Sequence, residues 1–296
     1  MRVNNAIIMA AGTASRFAPL SYEIPKALIE VKGEVLIERQ IRQLREVGIE
    51  EVIVVTGYKA EQFDYLKEKY DVILVHNPDY LTRNNNASIY VARDYLKNSY
   101  ICSSDNYFLE NPFESEVDDT YYSAIYVKGE TNEWCINEEN GVIKKVVVGG
   151  RDSWVMLGHS FWSEVFSRKF ISILESEYDL PETEDKLWET IYIDHINELK
   201  MSIRKYPADS IFEFDTLDEL RMFDASYLEK TRSSILKGVA IKLGIEEKDI
   251  INVKSFKDDN NVAVGFTFDA GRKYKYHYET REMKEHSCNS EITPIE

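Results

Sequence analysis

The chain has 296 residues, of which 44% are hydrophobic and 30% charged. This is enough for one large α/β domain with an appendage, or for two domains. The formal net charge of −16 argues against a nucleic-acid partner or an anionic membrane, because either ligand needs a basic face on the protein. If the substrates are phosphates, the positive charge that holds them must be local, so clustered Arg and Lys residues are informative.

The first hundred residues alternate short apolar runs with helical patterns. The pattern predicts buried strands at 6–9, 52–55, 72–75 and 100–103 and helices at 36–47, 60–69 and 84–96, the last with an Asn-rich N-cap. Strands that alternate with helices indicate parallel βαβ units and a doubly wound sheet. Ligands of such sheets bind beyond the carboxyl ends of the strands, so loops 10–16 and 104–106 should face one crevice.

The pattern changes after residue 120. We predict strands at 121–127, 142–148, 155–159, 201–206 and 211–214, some of them antiparallel, and helices at 162–177, 183–199 and 217–230. A domain boundary is placed near residue 230, which gives a main domain (1–230) and a small α+β extension (231–296), here called the tail. The tail should contain a helix at 234–243 and two or three strands, and its last dozen residues look disordered.

The cysteines and the N-terminus indicate a cellular compartment. Cys102, Cys135 and Cys288 lack CxxC or zinc-type spacing, which favours a reduced, intracellular protein. The apolar run at the N-terminus is too short for a signal peptide, and no stretch is long enough to span a membrane. We therefore expect a soluble, cytoplasmic protein without membrane insertion.

The strongest local signal is the loop AAGTASRFAPLSYEIPKAL, which follows the first predicted strand. Arg16 and Lys26 supply fixed positive charge of the kind that phosphoryl transfer needs. Small residues open the loop and let backbone N–H groups approach a triphosphate: Ala10, Ala11, Gly12 and Thr13. A Gly turn after a strand is equally consistent with a packing turn, and the loop is neither a Walker loop nor a dinucleotide fingerprint. The whole string, with its two basic residues, favours a phosphate site.

Two aspartates follow apolar runs that read as strands. Asp105 ends YICSSD, after Ser104, and Asp215 ends IFEFD. Mg²⁺ prefers a few carboxylate ligands, with water and phosphate oxygens completing its shell. The alternative is that each aspartate caps the helix that follows it.

These segments resemble the signature of nucleotidyltransferases, and more narrowly the bacterial CTP:phosphocholine cytidylyltransferases. The resemblance runs from Asn5 to about Leu228 through EVLIERQIRQL, VTGYKAEQFDYLKEKYDV, SSDNYF, ETNEW and SIFEFDT. It implies a Rossmann-like mixed sheet, the nucleotidyltransferase fold, with Ser104 among the nucleotide-binding residues and Mg²⁺ on Asp105 and Asp215. One position departs from the family: Ala14 stands where a second glycine is common.

The resemblance also implies residues for the base and for the acceptor. Asn85 and Ser88 are candidates for reading the pyrimidine, with plain N-capping as the alternative. A quaternary ammonium is recognised by aromatic faces and a nearby carboxylate. Trp134, preceded by Glu133, matches the family pattern, and a helical pair one turn apart is a second candidate: Trp188 and Tyr192. Aromatic residues at helical spacing are also typical of a core.

The tail resembles the opening of bacterial choline kinases, over residues 232–280. The chain ends before the lobe that would carry a kinase's catalytic base and metal ligands, and the loop KDDNN lacks glycine. We interpret the tail as a kinase remnant without kinase activity. The alternative is a small packing or dimerisation module, so a homodimer stays open.

These observations predict an enzyme that uses CTP, phosphocholine and Mg²⁺ to form CDP-choline and pyrophosphate. Rival acceptors for the same chemistry are phosphoethanolamine, 2-aminoethylphosphonate and sugar 1-phosphates. A hypothesis of another class is a non-catalytic, nucleotide-binding regulatory subunit.

Overall fold

A computed structural model of the chain describes residues 1–258 and 262–286. The chain divides into two compact units. The first unit comprises Met1–Gly12 and Ala27–Glu213, and the second comprises Thr13–Lys26 and the chain from Phe214 onward. The loop from Ala10 to Lys26, here called the basic loop, therefore lies mostly in the second unit, together with the C-terminal part of the chain. The domain boundary near residue 230 stays a prediction.

The strands and helices of the described residues are numbered in chain order. The strands are β1 (Asn5–Ala10), β2 (Glu30–Val31), β3 (Glu34–Val35), β4 (Glu51–Thr56), β5 (Ile73–His76), β6 (Ser99–Ser103), β7 (Asn106–Phe108), β8 (Tyr121–Glu139), β9 (Val142–Trp162), β10 (Ser202–Tyr206), β11 (Ile211–Glu213), β12 (Ile251–Lys257), β13 (Ala263–Asp269), β14 (Lys273–His277) and β15 (Met283–Glu285). The α-helices are α1 (Leu20–Glu23), α2 (Leu36–Glu46), α3 (Tyr65–Tyr70), α4 (Asn86–Val91), α5 (Glu164–Glu177), α6 (Trp188–Asp194), α7 (Leu217–Phe223), α8 (Ser226–Glu229) and α9 (Ser234–Leu243).

The first unit is built on a seven-stranded mixed sheet with the order β10-β8-β9-β6-β1-β4-β5. Strand β1 is parallel to both β4 and β6, and β4 is parallel to β5. Strand β9 is antiparallel to β6 and β8. This confirms the predicted nucleotidyltransferase fold with its mixed sheet. The first hundred residues supply parallel strands, β9 is antiparallel to its neighbours, and β10 is parallel to β8.

Alternate residues of the parallel strands face opposite sides of this sheet, as the two-residue repeat of a strand requires. On β1, Ala6 and Ile8 belong to a core that includes Ile37 and Ile41 of α2. Ile7 belongs to a second core that contains side chains of α4, α5 and α6. Both faces of the sheet are therefore covered by helices, which explains why these strands read as unbroken apolar runs.

The second half of the first unit differs from the predicted elements in three main places. The strand predicted at 121–127 continues to Glu139 as β8. The predicted strands at 142–148 and 155–159 are one strand, β9, which pairs along its length with β8 through several register shifts. The predicted helix at 183–199 is reduced to α6, preceded by a short 3-10 turn, Pro181–Thr183. Side-chain amides explain the loss, because Asn86 Nδ2 bonds the Thr183 carbonyl at 2.9 Å and Asn84 Nδ2 bonds the Asp185 carbonyl at 3.1 Å. The Thr183 carbonyl also accepts from Lys186 N at 3.1 Å, so turn bonds and side-chain amides hold this segment in place of a continued helix.

The second unit contains α1, α7, α8 and the tail. In the tail, α9 begins after Ser233, whose hydroxyl accepts from Leu236 N, and ends at Gly244 in the left-handed conformation. Four antiparallel strands follow in the order β12-β13-β14-β15. This is more than the predicted two or three, because the polar strand β15 has no recognisable alternation. Cys288, the last three residues of the KDDNN loop and almost all of the predicted disordered end lie outside the described residues.

No helix in the described parts of the chain is long and apolar enough to cross a membrane.

Candidate functional site

The ends of β1 and β6 lie side by side in the first unit. The register pairs Met9 with Ser103, and Ser104 N bonds the Met9 carbonyl at 3.2 Å. The small residues Ala10 and Ala11 are buried, and the Ala11 carbonyl accepts from Tyr58 N at 3.0 Å. Residues 10–12 and 104–105 therefore share one edge of the sheet, as the predicted parallel arrangement requires.

The turn that carries Asp105 is held by a buried glutamine of α2. Gln40 Nε2 donates to the carbonyls of Ser103 and Asn106, each at 2.9 Å. Ser104 is buried and Asp105 is partly exposed. Because Gln40 bonds the backbone on both sides of these two residues, it fixes where the Asp105 carboxylate is presented.

Gly12 ends the first unit and is exposed, and Thr13, which follows it, is partly exposed. Among the described residues, a Cβ placed on Gly12 would meet no atom within 4 Å, and its φ is not in the left-handed region. Neither packing nor backbone conformation therefore requires glycine here. A ligand that approaches the backbone closely would supply the missing reason.

Ala14 adopts the left-handed conformation, with φ 46° and ψ 46°. A non-glycine residue pays about 1–2 kcal/mol for this conformation. The structure thus supplies a reason why glycine is common at this position in the family: the backbone turns here in a way that glycine does without cost. The 3-10 turn Ser15–Phe17 follows directly, closed by a bond from Phe17 N to the Ala14 carbonyl at 2.9 Å.

Three charged residues predicted from distant parts of the sequence meet in the second unit. Asp215 Oδ2 lies 2.8 Å from Arg16 Nη1, and Asp215 Oδ1 lies 3.5 Å from Lys26 Nζ. The Arg16 side chain is 75% exposed, whereas that of Lys26 is 9% exposed and lies 5.7 Å from the centre of the Phe17 ring. Arg16 is therefore accessible to a ligand from solvent, while Lys26 is largely buried.

Asp215 fits the chemistry of a magnesium ligand. Its side chain is 33% exposed, and a carboxylate is the hard oxygen donor that Mg²⁺ prefers. In residues 1–258 and 262–286, no three His, Cys, Asp or Glu side chains are grouped as a metal site. An ion held by one or two carboxylates, with water and phosphate oxygens as its other ligands, is compatible with that arrangement.

The predicted base-reading residues are engaged within the first unit. Asn85 Oδ1 accepts from Trp188 N at 2.7 Å, and Asn85 Nδ2 donates to Glu189 Oε2 at 3.1 Å. The hydroxyl of Ser88, which is buried, accepts from Asn77 Nδ2 at 3.3 Å. Asn85 precedes α4 but makes no side-chain capping bond. N-capping, the alternative to base reading, is therefore not made by the Asn85 side chain, whose amide instead joins the start of α4 to α6.

Glu189 joins three elements of the first unit. Besides Asn85, its carboxyl group accepts from the Tyr122 hydroxyl on β8 at 3.2 Å. Burial raises the pKa of Glu189 to about 7, against three hydrogen bonds that lower it, from Asn85, from its own backbone N–H and from Tyr122. Burial and the neighbouring Glu189 also raise the pKa of Tyr122. A carboxyl group of this kind can be neutral or charged near physiological pH.

The predicted choline-binding residues fall into two groups. Trp134 on β8 is partly buried against the core and Glu133 beside it is exposed, so both can contact a ligand. Trp188 is 1% exposed and Tyr192 is fully buried. The Trp188 ring packs against Tyr122, Trp162 and Phe170. Trp188 and Tyr192 are core residues in this structure, and their predicted contact with a substrate has no exposed surface to act through.

Sequence reasoning missed Gln40, Tyr122 and the position of Glu189 as the link among α4, α6 and β8. Glutamine in a helix and tyrosine in a strand are too common to attract notice. The signal for Gln40 was a polar residue between Ile37, Ile41 and Leu44 on the apolar face of α2, which indicates a buried amide with fixed partners.

The mixed sheet, the small-residue loop and the cluster around Asp215 define a nucleotidyltransferase. Residues 6–113 match the MobA-like NTP transferase domain. The chain is 36% identical over 220 residues to a choline-phosphate cytidylyltransferase of Streptococcus pneumoniae, which covers 74% of this chain and 96% of the relative. It is 37% identical over 234 residues to a 2-aminoethylphosphonate cytidylyltransferase of Lancefieldella rimae, with 77% and 95% covered.

The solved structure of the CTP:phosphocholine cytidylyltransferase of Streptococcus pneumoniae, LicC, is similar in fold with a TM-score of 0.73. The identity is 36%, and the match covers 76% of this chain and 99% of that structure. The chain therefore belongs to the family of cytidylyltransferases that includes these enzymes, and it is an enzyme. About a quarter of this chain has no counterpart in the alignment with LicC.

Proposed function

We propose that this protein transfers CMP from CTP to phosphocholine, giving CDP-choline and pyrophosphate. The observation that carries the proposal is the meeting of Arg16, Lys26 and Asp215 in a chain that belongs to the cytidylyltransferases. A non-catalytic nucleotide sensor would have no need to keep a metal-type carboxylate beside two basic residues.

The reaction needs no general base. An oxygen of the acceptor phosphate forms a bond to the α-phosphorus of CTP while the bond from that phosphorus to the β-phosphate oxygen breaks, so pyrophosphate leaves with the electron pair. The attacking phosphate is already ionised near pH 7. Catalysis then consists of positioning the reactants and stabilising charge.

The residues divide this work. Lys26 stabilises negative charge on the α-phosphoryl group. The exposed Arg16 holds the leaving pyrophosphate, together with backbone N–H groups from Ala10 to Thr13. Ser104, Asn85 and Ser88 stay predicted nucleotide-binding residues, although the bonds of Asn85 and Ser88 leave each of them fewer free groups for a base. Asp105 and Asp215 are the proposed ligands of Mg²⁺, which would neutralise phosphate charge when bound. The cytoplasm, where CTP is available, is the proposed site of action.

Trp134 and Glu133 are the proposed acceptor residues. A trimethylammonium group cannot donate hydrogen bonds and is best recognised by an aromatic face. The partly exposed indole of Trp134, with the exposed carboxylate of Glu133 beside it, meets that need. Trp188 and Tyr192 are left out because they are buried.

A second acceptor is favoured by a specific observation. The relative from Lancefieldella rimae, at 37% identity, is named for 2-aminoethylphosphonate. Recognition of the primary ammonium group of 2-aminoethylphosphonate would rely on carboxylates more than on an aromatic face.

Pyrophosphate release from CTP separates the acceptors. The panel is phosphocholine, 2-aminoethylphosphonate, phosphoethanolamine and a sugar 1-phosphate, each with and without Mg²⁺. We expect the highest kcat/KM with phosphocholine and no turnover without the metal. A higher kcat/KM with another acceptor would transfer the assignment to it, and no release with any acceptor would favour the regulatory-subunit hypothesis.

A variant of Trp134 tests the acceptor contact. We expect Trp134→Ala to raise KM for phosphocholine about tenfold, the value of a cation–π contact of roughly 1–2 kcal/mol, and to leave KM for CTP unchanged. Trp154→Ala is the matched control, because Trp154 is a partly buried tryptophan on the neighbouring strand β9 that contacts Tyr126. Equal effects of the two variants would contradict a specific contact with Trp134.

A further inference from the structure

Two adjacent side chains of α1 contact the tail. The rings of Tyr22 and Tyr278 stack, with centroids 3.7 Å apart and an angle of 8° between the planes. Glu23 Oε1 accepts from Ser234 N at 2.8 Å and also from the Ser234 hydroxyl. These four residues join α1 to the first residue of α9 and to the residue that follows β14, all inside the second unit.

A cavity lies beside these contacts. A cavity of about 480 Å³ adjoins the same place and is lined by Tyr22, Glu23, Gly238, Lys242 and Arg281, among others. Helix α1 is therefore not packed continuously against α9. Removing one of the contacting side chains should loosen the loop, because nothing fills the space behind it.

The tail also approaches the other two parts of the charged cluster. Strand β12 lies beside the 3-10 turn that contains Arg16. Buried Arg221 of α7, the helix that follows Asp215, donates to the carbonyls of Ile250 at 2.6 Å and Glu247 at 2.8 Å. Asp218 of the same helix accepts from Asn252 N at 2.9 Å. The tail thus contacts the segments that carry Arg16, Asp215 and, through α1, the approach to Lys26.

We propose that the tail is a positioning element for the basic loop, and that Tyr278 and Ser234 are its positioning residues. They hold α1, and through it the segment from Arg16 to Lys26, in the arrangement that binds the triphosphate. This gives residues 231–286 a role in nucleotide binding that requires no kinase activity. The inference rests on the proposed function only in that the loop binds CTP.

The test uses the full-length chain and measures the dissociation constant for CTP, KM for CTP, KM for the acceptor and Tm. We expect Tyr278→Ala to weaken CTP binding and to lower kcat/KM for CTP about tenfold, because small displacements of catalytic groups have large effects on rate. KM for the acceptor should not change. Tyr278→Phe keeps the stacked ring and should restore nearly all of the loss.

The matched control is Tyr274→Ala. Tyr274 lies on β14 and stacks on Phe268, with centroids 5.3 Å apart, inside the tail sheet. A general loss of tail stability would affect both alanine variants alike. The inference is overturned if Tyr274→Ala weakens CTP binding as much as Tyr278→Ala does, or if Tyr278→Ala binds CTP within twofold of the native chain.

Ser234→Ala covers the case in which Tyr278→Ala does not fold. Ser234 is exposed, so the variant removes one hydroxyl donor and little else. We expect it to weaken CTP binding about threefold, whereas Ser176→Ala, at an exposed serine of α5, should have no effect; equal CTP binding by both variants overturns the inference. A native chain that binds CTP but turns over no acceptor would refute the proposed function and leave this test intact.

Discussion

Gly12 and Ala14, two small residues of the basic loop, are subject to different physical constraints. At Ala14 the backbone is left-handed, so the preference for glycine at this position comes from the protein's own conformation. At Gly12 the backbone is ordinary and the space beyond it is open, so the preference points to a ligand. The same sequence feature, a run of small residues, therefore carries two separate physical constraints.

The open space at Gly12 leads to a test that separates folding from binding. We expect Gly12→Ala to leave the free energy of unfolding within about 0.5 kcal/mol of the native value and to raise KM for CTP at least tenfold. Gly238→Ala on α9 is the control, since a Cβ there also meets no described atom. It should stabilise the helix by roughly 0.5–1 kcal/mol, which checks that the unfolding measurement resolves a change of this size. Unaltered CTP kinetics in Gly12→Ala would argue against close backbone contact with the triphosphate.

Lys26 and Arg16 both contact Asp215 but differ in burial. Lys26→Ala should lower kcat on the order of 10²–10³-fold, the usual effect of removing one group that stabilises developing charge. Lys169→Ala, at an exposed lysine of α5, controls for the lost charge and should have normal turnover. Near-normal kcat in Lys26→Ala would remove Lys26 from the mechanism.

At the scale of elements, the asparagines before α4 shape a second helix. Asn84 and Asn86 bond the carbonyls of residues 183–186, and Asn85 bonds α6. The predicted long helix is therefore shortened, and α6 begins at Trp188. Its first turn brings Glu189 to Tyr122 on β8, which makes the carboxyl group of Glu189 the meeting point of two helices and a strand.

The raised pKa of Glu189 makes stability depend on pH. Its folded pKa is about 7 and its unfolded value is about 4.3, so the folded chain binds the proton more tightly. The stabilisation is complete below about pH 4 and is lost as the pH rises toward 7. Glu189→Gln keeps the size and most hydrogen bonds but cannot ionise.

Thermal unfolding of both chains from pH 5.5 to 8 gives the measurement. We expect the native chain to lose on the order of 2 kcal/mol relative to Glu189→Gln across this range. Glu139→Gln, at an exposed glutamate of β8, should run parallel to the native chain. A constant difference between native and Glu189→Gln would mean that Glu189 is ionised throughout.

At the scale of the whole molecule, the loop segment 13–26 folds with the C-terminal part of the chain. A chain with a net charge of −16 still holds two basic residues together, because Asp215 pairs with both of them. Buried Arg221 holds α7 to the tail through the carbonyls of Ile250 and Glu247, and it also pairs with Asp218 within the same helix. Within the second unit, the buried guanidinium of Arg221 therefore links α7 to the segment before β12.

Arg221→Met should lower the free energy of unfolding by roughly 3 kcal/mol, because the buried carbonyls and Asp218 lose their donors. Denaturant unfolding measures the change. Arg168→Met, which removes an exposed pair with Glu164 on α5, should cost no more than about 0.5 kcal/mol. Comparable losses in the two variants would show that Arg221 does not stabilise the second unit.

The sequence was sufficient for the alternation of strands and helices in the first hundred residues and for singling out Arg16, Lys26 and Asp215 as candidates. Burial within a strand or helix leaves a local, periodic trace, and the loop string is specific enough to indicate its family. Only the tertiary structure decided that the Asp215 carboxylate pairs with both Arg16 and Lys26, that Trp188 and Tyr192 are buried, and that Asn85 is engaged by α6. Those facts depend on side chains up to 199 residues apart in sequence meeting in space, and such meetings have no periodicity along the chain.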